Sequence, residues 1–398
     1  MTAAAALDPD RWQVMAKRMV LLALVVLALT ARFTQVTGAL HRLESGPEAT
    51  RLTYLPRFTE IAAAEGRPYR DFPVEYPPVS LGAIELVGKK DANQTGVQLI
   101  WLMVLCDALT AAALGLAWGR RASVAYLVLT VPLLGFLYLT IDLLPTALAT
   151  VAVALAIRGR ERSGGLAMAA AVLAKVWPLA LVPMLLVQRK LRSLAWCVVS
   201  LAIGMVLWVG WGGLAGPMQV ATQRSTPGWE YQSLVGSVWW TLTGSAFRTV
   251  NDSTRLGVAP GWAKALLLMA AFAGIAAVWR RAWNDRSTEI GAPSLAALSI
   301  LLLAAPLLSH PYIIWLVPWA AIAWTERRGA VRILAAAAIL VTGLLVVSYA
   351  TELTEVALWS VKLLLLARNG LLVAIPTAYF LERAPRPELA VEPVPAIA

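Results

Sequence analysis

A few polar side chains stand where an apolar chain has little use for them. Asp142 lies in Tyr138-Leu139-Thr140-Ile141-Asp142-Leu143-Leu144-Pro145, between two apolar runs. A carboxylate at the bilayer centre costs about 2.5–3.5 kcal/mol on insertion scales, so it faces a cavity or a partner. It also fits an N-cap of the following helix, with Pro145 in the first turn. Lys175, in Ala174-Lys175-Val176-Trp177-Pro178, either snorkels to the headgroups, the expectation here, or meets an anion. His310 opens an apolar run in Ser309-His310-Pro311-Tyr312. There it serves as a polar cap, or as a donor to a phosphate and a proton shuttle.

Two loops add to this set. The stretch Pro68–Pro78 holds Asp71 and Glu75 among two tyrosines and an arginine, with prolines within and on both flanks. Proline fixes φ and restricts its predecessor, so the segment is expected to be stiff and extended. Asp71 and Glu75 then share a face, and a rigid carboxylate suits a general base acting on an incoming hydroxyl. The plainer alternative is a solvated loop with an aromatic anchor. In the second loop Arg224, with Arg248, could hold a phosphate. Its stretch 234–240 reads as an amphipathic interfacial helix, with Trp239 and Trp240 in an aromatic belt. Arg32, with Thr34 and Gln35, adds polarity near one end of the first apolar run, facing the bundle interior.

The elements that must position these groups are helices in a membrane. Of 398 residues 59% are hydrophobic and 14% charged. A soluble domain has about 45–50% and about 25%, so a single soluble domain and a disordered chain are both excluded. Apolar runs of about 20 residues match the bilayer core. The net charge of +11 sits in short basic clusters between those runs, which reads as orientation signal and anionic-lipid contact, not nucleic-acid binding. Cys106 and Cys197 each lie inside an apolar run, and the histidines are His41 and His310. That excludes a disulfide framework and a Cys/His structural metal.

The expected fold is all-α: a polytopic transmembrane bundle of about 10–12 membrane segments. The first span is uncleaved and runs from Met19 to about Leu40. Others lie near 95–118, 123–140, 142–157, 193–213, 261–279, 292–308, 311–325, 331–350 and 366–382. The stretch 164–187 has basic flanks and is interrupted by Pro178 and Pro183. It reads as a re-entrant hairpin or two half-helices, backbone tolerated only where protein or a cavity surrounds it. Basic residues are denser in the segments this scheme makes cytoplasmic, placing both termini inside and the loops 41–94 and 214–260 outside. Residues 1–382 form one domain, and the proline-rich 383–398 reads as a disordered cytoplasmic tail.

Minimal cytoplasmic loops leave no room for a nucleotide-binding domain, and no phosphate-cradling glycine loop is present. Any site is therefore on the outer face or within the membrane, where a lipid-linked substrate is available. A transporter or flippase for such a lipid would show paired repeats with broken helices. The sequence offers one broken segment, no internal repeat, and long polar loops on one face. A non-catalytic scaffold for envelope assembly is the third class.

In order along the chain, Pro68–Pro78, Asp142-Leu143-Leu144-Pro145, Lys175-Val176-Trp177-Pro178, Gln232-Ser233 and Ser309–Pro318 resemble motifs of glycosyltransferase family 87, a branch of the GT-C membrane glycosyltransferases. The resemblance spans about 70–320. It implies an inverting transfer of a sugar, mannose or arabinofuranose, from a polyprenyl-phosphate donor. The acceptor is a hydroxyl of a cell-envelope glycolipid or polysaccharide, on the outer face of the plasma membrane. The family's base is a first-loop acid, often an Asp shortly before a Tyr. Before Tyr54 this chain has Thr50-Arg51-Leu52-Thr53, and Glu48 is the nearest carboxylate. The expected base is Asp71, with Glu75 or Glu48 in reserve. Arg224, His310, Tyr312, Gln232, Ser233 and Lys175 are expected on the donor and its phosphate. Asp142 orients a substrate, or joins a first-loop carboxylate around a divalent cation; no other cofactor is expected.

Overall fold

The structure, a computed structural model, describes residues 9–45, 54–89, 91–222, 227–250, 253–285, 288–326, 329–349 and 355–382. The chain begins with α1 (Pro9–Ser45), α2 (Tyr54–Ala63), α3 (Pro78–Val87) and α4 (Ala92–Trp118). It continues through α5 (Arg120–Leu129), α6 (Leu134–Leu137), α7 (Leu143–Ile157), α8 (Glu161–Ala174), α9 (Val182–Val187), α10 (Leu191–Gly212) and α11 (Ala215–Thr222). A small insertion follows, with β1 (Trp229–Glu230), α12 (Leu234–Thr243), β2 (Arg248–Val250) and β3 (Ser253–Leu256). The chain closes with α13 (Gly261–Asn284), α14 (Gly291–Ala304), α15 (Val317–Ala323), α16 (Gly329–Tyr349) and α17 (Glu355–Leu381).

Among the described residues seven helical stretches are long and apolar enough to cross a membrane: α1, α4, α5 with α6, α10, α13, α16 and α17. The chain is a multi-pass helical membrane protein. Three segments expected to cross, 142–157, 292–308 and 311–325, are shorter. Their helices α7 and α14 have 15 and 14 residues. These rise about 22 and 21 Å, short of the roughly 30 Å hydrocarbon core.

Two hairpins, α8 with α9 and α14 with α15, enter and leave at one end of the bundle, here called the base, and α7 runs down to it from the level of their tips. α8 rises between α7 and α10. Gly164 lies against Ala152 O and Ala156 N, where an added Cβ would meet both at 2.9 Å. Gly165 faces α10, where a Cβ would meet Trp196 Cβ at 2.6 Å and Cys197 N at 2.9 Å. Adjacent glycines thus let α8 pack closely on two neighbours at once, the small-residue device of membrane helices. Lys175 then turns extended (φ −158°, ψ 139°), and a 3-10 turn over Trp177–Leu181 leads back through α9 to the start of α10. The stretch 164–187 therefore re-enters.

A second hairpin, α14 to α15, has the same build. An irregular tip at 305–309 and a 3-10 stretch over His310–Leu316 separate its limbs. Its base is closed by Glu326, whose carboxylate accepts the N–H groups of Ile290 and Gly291 at 2.7 Å and of Ala292 at 3.0 Å. The two hairpins lie side by side with Ser294 Oγ 3.9 Å from Met184 Sδ, and Trp279 of α13 donates to Ala180 O at 2.9 Å.

The opposite end carries the loops, and these roof the tips. Ser80 Oγ at the start of α3 donates to Ala174 O at 2.7 Å, beside Lys175. Glu230 N donates to Pro306 O at 3.0 Å. The insertion departs from the all-α expectation by a three-stranded antiparallel sheet, order β1-β3-β2. Its register sets Glu230 opposite Arg255, and Arg255 opposite Arg248. The stretch expected to form an interfacial helix is helical, as α12, with Trp239 exposed but Trp240 buried, so Trp240 does not sit in an outward aromatic belt.

Candidate functional site

Three turns meet at one point. Asp142 precedes α7 but has helical backbone angles (φ −63°, ψ −24°), and its side chain caps nothing. The carboxylate instead turns inward. Its Oδ1 takes an ion pair from Lys175 Nζ and a hydrogen bond from Trp315 Nε1 at 2.8 Å. Both contacts fall on Oδ1, which leaves Oδ2 as an open acceptor. Asp142 is 6% exposed and Lys175 8%. Burial on this scale is tolerated only when the charges are paired. Lys175, expected to snorkel, thus meets an anion, because the hairpin carries it to the tip.

Aromatic rings wall the pair. Trp177 stacks on Trp315 with centroids 5.1 Å apart and planes 9° apart, and Trp315 stacks on Tyr312 at 4.5 Å. The Lys175 ammonium lies 4.6 Å from the Tyr312 ring centre and 5.1 Å from that of Trp315. Such contacts hold a desolvated cation by the ring quadrupole.

The turn bearing Asp142 is pinned from below. Asp107 of α4 accepts from Arg32 Nε at 2.8 Å, Tyr126 OH at 2.7 Å and Tyr138 OH at 2.8 Å. Tyr138 stands four residues before Asp142, so this network fixes where the turn begins.

A second polar group adjoins the first. His310 packs edge-on against Phe136 at 4.8 Å and lies within electrostatic reach of Asp142 and Arg368. Arg368, fully buried in α17, donates to Gln232 Oε1 at 3.3 Å and to the Gln232 carbonyl. Asn369 Nδ2 donates to Ser237 Oγ at 2.8 Å. Ser233 caps α12, its Oγ accepting from Gly236 N at 3.0 Å. Glu230 is buried opposite Arg255, its carboxylate accepting from Gln232 N at 3.0 Å, with Arg368 and Arg255 in reach. Burial pushes its carboxyl up to about 8, against the opposing pull of Arg368 and then Arg255.

The first loop takes a different form from the expected extended rod. Arg70 N and Asp71 N both bond Arg67 O, and Tyr69 has φ +69°, so 67–72 is a tight turn. Tyr69 tolerates that angle because its ring docks on Trp208 and Trp211. Asp71 is exposed, and its Oδ2 accepts from Arg67 N at 2.6 Å, closing the turn. Glu75 pairs with Arg57 at 3.1 Å. Neither carboxylate shares a partner with Asp142. Glu48 and Arg224 lie outside the described residues. Among those described, no three His, Cys, Asp or Glu side chains gather to hold a metal, and Asp142 faces Lys175 instead of a first-loop carboxylate.

Sequence reasoning missed Glu230, Arg255, Arg368, Asn369 and the Asp107 network. For Arg368 and Asp107 the signal was available, since an ionisable residue inside an apolar span marks a site or a partner. For Glu230 and Arg255 it was not, because the strands that align them are too short to read. Compared with known protein families and with curated proteins, the chain matches none.

Proposed function

We propose that the chain is an integral-membrane glycosyltransferase. It moves a sugar, mannose or arabinofuranose, from a polyprenyl-phosphate donor to a hydroxyl of a cell-envelope glycan or glycolipid, at the outer face of the plasma membrane and with inversion. The observation that carries this reading is the buried Asp142–Lys175 pair at the meeting of two hairpin tips, with His310 and Arg368 beside it. A carboxylate with one open oxygen next to a cationic and imidazole group is the equipment for moving a proton and receiving a phosphate.

In this mechanism Asp142 Oδ2 takes the proton of the acceptor hydroxyl. The hydroxyl oxygen bonds to the anomeric carbon as the carbon–oxygen bond to phosphate breaks. The electron pair leaves on the polyprenyl phosphate, where Arg368 and His310 meet the growing charge. Lys175 and Trp315 hold the carboxylate in place. Asp142 is preferred to Asp71 and Glu75 because their carboxylates close a turn and face Arg57.

One observation favours a lipid flippase: the broken segment 161–187 has a counterpart at 291–323, and their tips meet. Inverted-repeat transporters bring such elements in from opposite faces. Here both hairpins have their bases at the same end, and loops cover both tips, which suits a one-sided reaction chamber.

Purified protein in lipid nanodiscs, given labelled polyprenyl-phosphate sugars and membrane acceptor lipids, tests the reading. Transfer of label to acceptor is expected. Label moving between leaflets of proteoliposomes on an intact lipid, with no transfer, contradicts it and supports the flippase.

A further inference from the structure

Two turns at the base of the first hairpin carry cations that no carboxylate neutralises. One turn joins α7 to α8 and bears Arg158, Arg160 and Arg162; the other joins α9 to α10 and bears Arg189, Lys190 and Arg192. Glu161 is the one acid between positions 158 and 192. The turns adjoin, because Gly165 lets α8 lie directly against Ser193 and Cys197 of α10, and the Arg162 guanidinium lies 4.6 Å from the Trp196 ring centre. Among the described residues none of these cations makes an ion pair, and all but Lys190 are exposed. The base of the second hairpin is built differently: there Arg281 pairs with Asp285 at 3.3 Å and Glu326 closes the start of α14.

The two turns share one geometry. Arg158, Gly159 and Arg160 donate their N–H groups to the carbonyls of Ala154, Ala156 and Leu155; Gln188, Arg189 and Lys190 donate theirs to Met184, Leu186 and Leu185. The middle residue is left-handed in both, Gly159 at φ +79° and Arg189 at φ +55°. Glycine takes that angle freely and a residue with a Cβ does not. The fold alone therefore gives no reason for an arginine at 189. Beside these turns α10 presents Val198, Val199, Ile203 and Val206 outward, each half exposed or more.

We propose that the base of the first hairpin binds the headgroup of an anionic phospholipid, with the phosphate at the arginines of the two turns and an acyl chain along the outward face of α10. Arginine suits a phosphate because its planar fork donates two parallel hydrogen bonds, and basic clusters at a membrane surface draw anionic lipids. A lipid matches both the charge and the apolar face beside it. A soluble polyanion or a nucleic acid matches the charge alone. The proposal goes beyond sugar transfer and stands on the membrane fold only.

The test uses the full-length protein in nanodiscs of phosphatidylcholine, with and without phosphatidylglycerol, and reads the melting midpoint. Wild type is compared with Arg189→Gly and with the double variant Arg160→Gln, Arg192→Gln. Phosphatidylglycerol is expected to raise the wild-type midpoint. In phosphatidylcholine both variants are expected to melt at the wild-type temperature or higher, the first freed of backbone strain and the second of like-charge repulsion. Both are expected to lose most of the rise that phosphatidylglycerol gives the wild type. An equal rise in wild type and variants overturns the proposal, because the lipid then acts elsewhere. So does no rise in the wild type, which leaves the cations as an orientation signal only. Soluble tripolyphosphate added to phosphatidylcholine discs separates the partners: a rise as large as that from phosphatidylglycerol contradicts a lipid. Sugar transfer is not read, so this site and the transferase stand or fall separately.

Discussion

Asp142 and Lys175 are 33 positions apart and meet as a buried ion pair, one at the turn before α7 and the other at the tip of the first hairpin. Each is where the other needs it because α7 and α8 are nearly equal in length, 15 and 14 residues, and antiparallel. The pair therefore reports on the hairpin as well as on the chemistry. Lys175→Met leaves a buried carboxylate without its cation and is expected to cost about 3–5 kcal/mol. Adding Asp142→Asn should return most of that loss, as measured by unfolding in detergent. Additive losses in the double variant contradict the pairing.

Glu230 makes stability depend on pH. Its carboxyl is raised to about 8 from the usual 4.5, so the folded chain binds the proton more tightly than the unfolded chain. Its stabilising contribution is fully present below about pH 4.5 and is lost as pH rises towards 8. Glu230→Gln removes the titration. The melting midpoint of the wild type is expected to fall more steeply between pH 5 and pH 8 than that of the variant. Parallel curves contradict the assignment.

Gly291 tests the base of the second hairpin. A Cβ there would meet Ala323 N at 2.5 Å and Trp319 O at 2.7 Å, both backbone atoms that cannot swing aside. Gly291→Ala is expected to cost about 1–3 kcal/mol by overpacking. Gly329→Ala, where nothing lies within 4 Å, should be close to neutral in the same unfolding assay. Equal effects contradict the close packing of α14 on α15.

The membrane class was legible in composition, and the break at 164–187 was legible in Pro178, Pro183 and the basic flanks. The second hairpin was not. Its apolar runs at 292–308 and 311–325 look like ordinary spans, and only tertiary packing shows them to be short and turned back. At the site, Asp142, Lys175, His310 and Tyr312 could be named from their misfit with apolar surroundings. Their partnership could not, because the ion pair joins the turn before α7 to the tip of the first hairpin and the Trp315 bond joins that same turn to the second. Asp71 misled for a local reason: proline-rich sequence suggests an extended rod, whereas the Asp71 carboxylate on Arg67 N and the docked Tyr69 ring bend it into a turn.

The central claim is that the proton acceptor sits at the hairpin tips and not in the first loop. The most direct measurement is the initial rate of sugar transfer from polyprenyl-phosphate donors in nanodiscs, comparing Asp142→Asn with Asp71→Asn. A positioned base contributes about 10²–10⁴-fold. The Asp142 variant is expected to lose at least a hundredfold, while the Asp71 variant stays within a few-fold of wild type. Near-normal transfer by Asp142→Asn, with collapse in Asp71→Asn, would contradict the account.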